Sequence, residues 1–255
     1  MNTKVKITIC SAYEADRRLI AGMPAMFERG EGRLLHTGRN EVRLFDGSDG
    51  RRYVAKRYKR VNAVQRVAYT FFRPTKAQRA YSYAAELRRR GIGTPHEVAY
   101  MEESEGGLFT TGYFVSAVCP DPPAFGPLVA DDDFDRDMAS DMASFIVFMH
   151  SRGVLHGDMN FGNFLYRRGD DGHYAFTVID TNRSRFCDGW PDRHLCIANM
   201  RTMTHRRNVY SFIVRRYAAL RGWDADETLA EALACLDKLE LKHRRKDLFK
   251  KLKHL

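Results

Sequence analysis

The feature that most constrains the fold is a polar segment in the second half of the chain, His156-Gly157-Asp158-Met159-Asn160-Phe161-Gly162-Asn163, followed 17 residues later by Asp180. The segment comes after a stretch with helical periodicity, and Asp180 ends an apolar run. Two carboxylates and an amide carbonyl are hard oxygen donors of the kind that Mg2+ accepts beside phosphate groups. The spacing therefore predicts a loop that holds a metal ion and a phosphorylated ligand.

The order of these residues is similar to the protein-kinase pattern of His-Arg-Asp, four residues, Asn and a later Asp, with Gly157 in place of the Arg. Phosphoryl transfer needs one carboxylate to orient and deprotonate the attacking hydroxyl, and oxygen ligands for Mg2+. We assign the catalytic carboxylate to Asp158, the metal ligands to Asn163 and Asp180, and a bracing role in the catalytic loop to His156. The alternative is a polar turn in which Asp180 caps the next element.

Alternating residues between positions 33 and 59 predict a meander of three antiparallel strands. Its first turn contains Gly38 and Asn40 and is the candidate phosphate loop, but protein kinases have three glycines here and an ordinary hairpin fits equally well. On the third strand Lys56 follows Val54-Ala55, a placement similar to that of the kinase segment Val-Ala-Ile-Lys, whose lysine meets the α- and β-phosphates of ATP. Arg57 and Lys59 are competing cations, but Arg57 should point to the opposite face of the sheet and Lys59 lies near the end of the strand.

Two helices are predicted over residues 62–72 and 76–90, followed by strands near 98–101 and 111–118. Glu86 is the one acidic residue of the second helix and is the candidate partner of Lys56 in positioning the nucleotide. A proline-rich break at 119–123 is interpreted as a hinge between domains 1–119 and 120–255. These elements predict an α+β, bilobal, protein-kinase-like fold with a small antiparallel sheet in the first lobe and a mostly helical second lobe.

In the second domain, a helix is predicted to begin at Asp131, with its methionines in the core. It leads into the catalytic loop, and residues 164–166 and 176–179 then form a hairpin. This hairpin would bring Asn163 and Asp180 to the same cleft.

The chain resembles the lipopolysaccharide core kinases of Gram-negative bacteria, the Kdo/heptose kinase family, which are distant relatives of protein kinases. The resemblance rests on Gly38-Arg39-Asn40, Lys56-Arg57-Tyr58, Tyr69-Thr70-Phe71-Phe72-Arg73, Gly91-Ile92-Gly93-Thr94-Pro95, the His156 loop and Asp180-Thr181-Asn182-Arg183. It implies ATP with Mg2+, and phosphorylation of a Kdo or heptose hydroxyl on the cytoplasmic side of the inner membrane. The family also implies a helix glutamate where this chain has Ser82, one turn before Glu86.

The charge balance of 42 Lys+Arg against 32 Asp+Glu gives a net charge of +10 and favours an anionic partner. Arg183 and Arg185, just after Asp180, suit a phosphate or a sugar carboxylate, although surface arginines are an equal alternative.

The sequence has no Ala-Pro-Glu segment after Asp180, which argues against a peptide substrate. It also has no base-reading motif, so a nucleic-acid partner is not expected.

The C-terminal residues predict a basic amphipathic helix with Leu241, Leu248, Leu252 and Leu255 on one face. Such a helix can lie on anionic lipid, which predicts peripheral contact with the inner membrane, while a helix packed on the second lobe is the alternative. The first residues alternate like a strand, without the apolar segment of a secretory signal, and no apolar stretch approaches about 20 residues. We therefore expect a cytoplasmic protein.

Two other functions fit parts of the sequence. A small-molecule kinase of the aminoglycoside or choline type shares His-x-Asp and the later Asp, and would have acidic residues on the acceptor side. A pseudokinase or nucleotide-binding scaffold would explain the single glycine of the first turn and Ser82, but the retained Asp158, Asn163 and Asp180 count against it.

Overall fold

The computed structural model describes residues 3–129 and 133–252, with side chains as far as residue 249. The chain divides into two compact units, of which the first ends at Pro120 and the second begins at Asp121. Antiparallel sheet and helices both occur, as the sequence predicted.

Six antiparallel strands form the sheet of the first unit: β1 (Thr3–Ile9), β2 (Arg33–His36), β3 (Glu41–Asp46), β4 (Arg52–Arg57), β5 (Glu97–Glu105) and β6 (Leu108–Ala117). Their order across the sheet is β1-β5-β6-β4-β3-β2. The predicted meander is confirmed as β2, β3 and β4, and both later strands are confirmed as β5 and β6.

Three helices belong to this unit: α1 (Arg17–Glu28), α2 (Ala63–Phe71) and α3 (Lys76–Arg89). Met23 and Phe27 of α1 pack with Tyr53 on one face of the sheet. Ala77 of α3 packs with Tyr58 on the other face. The sequence predicted α2 and α3 but not α1, which contains Pro24, a residue that normally ends a helix.

The second unit contains five helices among the described residues: α4 (Phe125–Val129), α5 (Arg136–Ser151), α6 (Arg193–Met200), α7 (Arg207–Leu220) and α8 (Ala225–Leu252). Two strand pairs accompany them: β7 (Val154–Leu155) with β10 (Arg185–Phe186), and β8 (Phe164–Arg168) with β9 (Tyr174–Val178). The pair of β8 and β9 is the predicted hairpin. Met138, Met142 and Met149 of α5 are fully buried, which confirms their predicted place in the core.

Helix α5 begins at Arg136, and the predicted start at Asp131 was wrong. Its N-cap is Asp135, whose Oδ1 accepts a hydrogen bond from the Met138 N–H at 2.8 Å. The other carboxylate oxygen of Asp135 accepts from the Tyr174 hydroxyl at 2.7 Å. One capping side chain, rather than a run of aspartates, thus sets the helix start. Asp131 and Asp132 lie outside the described residues.

The predicted C-terminal helix is the last part of α8, where Leu241 and Leu248 are 49% and 60% exposed. Leu255 lies outside the described residues, and so does the side chain of Leu252. None of the helices in the described part of the chain is both long enough and apolar enough to cross a bilayer.

Candidate active site

The predicted catalytic loop follows β7 and is braced by its first residue. His156 is fully buried, and its Nε2–H donates to the main-chain carbonyl of Ile179 at 2.9 Å. Burial disfavours the imidazolium ion and lowers the pKa of His156, although the bond to Ile179 opposes the shift. A neutral ring therefore ties the start of the loop to the residue before Asp180.

Two side chains orient the carboxylate of Asp158. Its Oδ1 accepts from Asn160 Nδ2 at 2.9 Å, and its Oδ2 accepts from Arg183 Nη1 at 3.1 Å. The carbonyl oxygen of the Asn160 side chain accepts from the Gly162 N–H at 3.1 Å, which fixes the amide. The side chain of Asp158 remains 27% exposed, so the oriented carboxylate is accessible to a substrate.

Asn163 connects the loop to the strand that precedes Asp180. Its Nδ2 donates to the main-chain carbonyl of Asp158 at 3.0 Å, and its own main-chain carbonyl accepts from the Ile179 N–H at 2.9 Å. Because the amide nitrogen is turned toward Asp158, the side-chain oxygen lies on the opposite side of the amide, where it can bind a cation.

Asp180 has an uncommon backbone conformation. Its φ of 57° lies in the left-handed region, and Asp49 is the other non-glycine residue with positive φ in the described chain. Such conformations are unfavourable for residues with a Cβ and occur often at functional sites. The Oδ1 atom of Asp180 accepts from Asn182 Nδ2 at 2.6 Å. The carboxylate is therefore positioned by both its backbone and its neighbour.

The sequence interpretation missed the two supporting asparagines, although they share a signal. Asn160 and Asn182 each stand two residues after a key aspartate, and each donates to Oδ1 of that aspartate. The repeated Asp-x-Asn pattern could have identified them.

Gly157 explains the departure from the His-Arg-Asp pattern. Its φ is 76°, and a Cβ at this position would lie 2.4 Å from the main-chain oxygen of Arg183. The strand pairing of Leu155 with Arg185 brings the two segments together. A side chain at position 157 would push apart the catalytic loop and the segment after Asp180.

A cavity of about 450 Å³ next to the loop is lined by Gly157, Arg183, Arg185, Arg201 and Thr202, among others. Arg183 forms the ion pair with Asp158. Within the described residues, neither Arg185 nor Arg201 has an acidic partner.

Thr202, in the segment after α6, binds the catalytic loop. Its Oγ1 accepts a hydrogen bond from the Met159 N–H at 2.8 Å. The sequence predicted Arg183 and Arg185 as substrate residues but not Arg201 or Thr202, which belong to no motif.

In the first unit, Lys56 lies on β4 between Val42 of β3 and Phe114 of β6. Its Nζ is 5.5 Å from the centre of the Tyr58 ring. Arg57 lies on the opposite face of the sheet, as expected, and its guanidinium donates to Glu41 at 2.5 Å. The role of Lys56 toward phosphate stays a prediction.

Glu86 on α3 accepts hydrogen bonds from two arginines at the C-terminal end of the helix, Arg89 and the C-cap residue Arg90. Arg89 donates to both carboxylate oxygens at 2.6 and 2.7 Å, and Arg90 donates at 2.6 Å. These bonds lower the pKa of Glu86 to about 2. To pair with Lys56, Glu86 would have to use a carboxylate that already accepts bonds from Arg89 and Arg90. The pairing of Glu86 with Lys56 stays a prediction.

Gly38 and Asn40 lie in the turn between β2 and β3, and Asn40 Oδ1 accepts from the Lys59 N–H at 3.3 Å. The turn borders a cavity of about 660 Å³. Arg57 also lines this cavity, which therefore extends along the face of the sheet opposite to Lys56. Its role as a phosphate loop stays a prediction.

Among the comparisons with known proteins, a family model identifies the family. Residues 25–220 match the lipopolysaccharide kinase (Kdo/WaaP) family, a range that includes the whole catalytic loop and Asp180. No curated protein matches the sequence. A solved structure of WaaP in complex with acyl carrier protein is similar over 94% of this chain and 98% of that chain, with a TM-score of 0.58 and 18% identity. At that identity the structural likeness concerns the fold.

Proposed function

The chain belongs to the lipopolysaccharide kinase (Kdo/WaaP) family and is a kinase of lipopolysaccharide core sugars, for which we propose ATP as the phosphoryl donor, Mg2+ as the metal and Asp158 as the catalytic base. The acceptor would be a Kdo or heptose hydroxyl of the inner core. The observation that carries these assignments is the set of hydrogen bonds that connects His156, Asp158, Asn163 and Ile179. They hold the base and both metal-ligand candidates in one arrangement.

In the proposed reaction, the acceptor hydroxyl is oriented by Asp158 and gives its proton to that carboxylate. The hydroxyl oxygen forms a bond to the γ-phosphorus as the bond to the β-phosphate oxygen breaks, and ADP leaves. Asn160 and Arg183 orient the carboxylate through their bonds to its two oxygens. His156 is a positioning residue, because it is fully buried.

The donor atoms of Asn163 and Asp180 fit Mg2+, because both side chains offer hard oxygens. Asn163 is held by its bond to the Asp158 main chain, and Asp180 is held in a left-handed backbone conformation. When bound there, Mg2+ neutralises charge on the phosphates. Lys56 supplies a further cation to the phosphates. The turn at Gly38 and Asn40 would cover them.

The cavity beside the loop supports an anionic acceptor. Arg183, Arg185 and Arg201 line it, and no acidic residue of the described chain does. Guanidinium groups bind phosphate or carboxylate through paired hydrogen bonds. A small-molecule kinase with a cationic substrate would need acidic residues there, so this cavity favours a sugar that carries an anionic group.

The wider setting follows from the family. We propose that the two units are the two lobes of a protein-kinase-like fold and that the enzyme works on the cytoplasmic side of the inner membrane, in peripheral contact with it. Because WaaP was solved with acyl carrier protein, a carrier protein is a partner to test by co-purification.

The test is phosphate transfer from ATP to purified inner-core lipopolysaccharide. We expect the wild type to transfer phosphate, and Asp158→Asn to lower kcat by about 10²- to 10⁴-fold while ATP still binds. Asp180→Asn should also be inactive. Asp188→Asn is a matched control, because it changes an exposed aspartate of the same unit. If the wild type transfers no more than Asp158→Asn, the proposed roles are wrong.

A further inference from the structure

Helix α2 turns its apolar face away from the protein. Val64, Val67 and Phe71 recur at helical spacing and are 79%, 42% and 67% exposed. Phe72, at the end of the helix, is 80% exposed. No residue within α2 is buried. A surface helix normally buries such a stripe, so this one is available to an external partner.

The opposite face of α2 attaches the helix to its own sheet. Arg66 donates to the main-chain carbonyl of Glu105 at 2.9 Å, and Thr70 Oγ1 accepts from the Phe109 N–H at 2.9 Å. The Tyr69 ring lies 5.6 Å from the ring of Phe109. The helix is therefore fixed by Arg66, Tyr69 and Thr70, and its apolar stripe is held outward.

Asn62 caps the start of α2, since its Oδ1 accepts from the Gln65 N–H at 2.9 Å. This cap keeps the first turn of the helix, and thus Val64, in place. The apolar stripe is a formed surface of the folded unit and does not need a partner to create it.

The surroundings of α2 are basic. Residues 50–85 contain ten lysines and arginines and no aspartate or glutamate. Arg73, just after Phe72, stacks over the Tyr69 ring at 4.7 Å. Glu105 is an acidic neighbour, and its carboxylate is paired with Arg60 at 2.5 Å. An apolar stripe in a basic stretch is complementary to an anionic lipid surface.

We propose that α2 is a membrane-contact helix that lies on an anionic bilayer. Val64, Val67, Phe71 and Phe72 enter the boundary between headgroups and acyl chains, and the exposed Lys59 and Arg73, before and after the helix, meet lipid phosphates. This surface differs from the C-terminal helix that the sequence predicted for membrane contact. It does not depend on the catalytic assignments.

The test is co-sedimentation of the full chain with vesicles of phosphatidylcholine and phosphatidylglycerol, and with vesicles of phosphatidylcholine alone. The wild type should bind the anionic vesicles more tightly. The double variant Val64→Ser/Phe71→Ser should lose about tenfold or more of that affinity, because two apolar side chains no longer enter the bilayer.

A matched control makes the same kind of change on α8. Leu248 and Phe249 are 60% and 68% exposed, similar to Phe71. The variant Leu248→Ser/Phe249→Ser tests the C-terminal helix that the sequence predicted for membrane contact, and it should bind vesicles as the wild type does if α2 provides the contact. Thermal unfolding of both variants should match the wild type, since all four side chains are on the surface.

Several results would overturn the proposal: no binding of the wild type to anionic vesicles, equal binding of the α2 variant, or loss of binding in the α8 variant alone. A dimer in analytical ultracentrifugation that the α2 variant abolishes, without vesicle binding, would assign the stripe to a second copy of the chain. Phosphate transfer to a deacylated, lipid-free acceptor should be the same in the α2 variant and the wild type. Failure of the kinase assignment would therefore be seen separately.

Discussion

At the scale of single residues, the loop depends on positions that carry no catalytic group. Gly157 is one of these, because the main-chain oxygen of Arg183 occupies the space of its Cβ. The sequence showed a glycine where protein kinases have arginine, but it could not show the reason. The contact joins residues 26 positions apart, and such contacts follow from the folded structure alone.

We expect Gly157→Ala to lower both stability and activity. Gly189→Ala is the matched control, because Gly189 has a similar φ of 74° with no atom within 4 Å of a Cβ. The control should lose about 1 kcal/mol of unfolding free energy from backbone strain alone. Gly157→Ala should lose more, and its kcat should fall about 10²-fold because the loop is displaced. Equal effects in urea unfolding and in the kinase assay would contradict the role of the contact.

At the scale of elements, the sequence predicted the parts with a clear period. The meander alternates, and α2 and α3 begin after the capping residues Asn62 and Thr75. It missed α1 and set the start of α5 too early. It also could not show which residues the loop touches, since His156 bonds to Ile179 and Met159 to Thr202 across long stretches of chain.

The cap of α5 gives a prediction at this scale. Asp135→Ala should lower the unfolding free energy by about 1–2 kcal/mol, because it removes the bond to the Met138 N–H and leaves the Tyr174 hydroxyl without its partner. Asp192 is at the N-cap of α6 but makes no side-chain capping bond, so Asp192→Ala is the control. It should cost less than about 0.5 kcal/mol in urea unfolding. A similar loss in both variants would show that the cap is not the cause.

Three helices of the second unit meet at a buried histidine, which makes their packing sensitive to pH. His150 on α5 bonds to Tyr217 of α7 at 2.8 Å and to Asn199 of α6 at 3.1 Å. Burial lowers the pKa of His150 from 6.5 to about 4. Between those values the unfolded chain binds more protons than the folded one, so stability is full above about pH 6.5 and falls as the pH falls.

The pH dependence can be measured as the free energy of urea unfolding from about pH 4.5 to about pH 8, a range that covers the titration of histidine. The wild type should lose stability below its plateau more steeply than His150→Gln, by up to about 1.4 kcal/mol per pH unit. At about pH 8, where histidine is uncharged, His150→Gln is expected to be less stable than the wild type. The substitution removes the hydrogen bonds of the buried ring to Tyr217 and Asn199. Parallel pH profiles would show that His150 does not cause the loss.

At the scale of the whole molecule, the predicted site residues are divided between the two units. Lys56 lies in the first, and Asp158, Asn163 and Asp180 lie in the second. The structure connects the two groups of residues differently. In the second unit, hydrogen bonds link His156, Asp158, Asn163 and Ile179 around one loop. In the first unit, the carboxylate of Glu86 accepts bonds from Arg89 and Arg90 at the end of α3, and its pairing with Lys56 stays a prediction.

Binding of nucleotide should therefore be visible in the stability of the folded chain as well as in catalysis. A ligand that binds only the folded state stabilises it by about 2.7 kcal/mol at 100 times its Kd. We expect ATP with Mg2+ to raise the thermal midpoint of the wild type more than ATP with EDTA, because the proposed ligands Asn163 and Asp180 would hold the metal on the phosphates. Asp180→Asn should lose this Mg2+-dependent increment, and Asp188→Asn should keep it. If Mg2+ adds nothing in the wild type, or adds equally in Asp180→Asn, then Asp180 is not a ligand of the metal, whatever the rate of phosphate transfer.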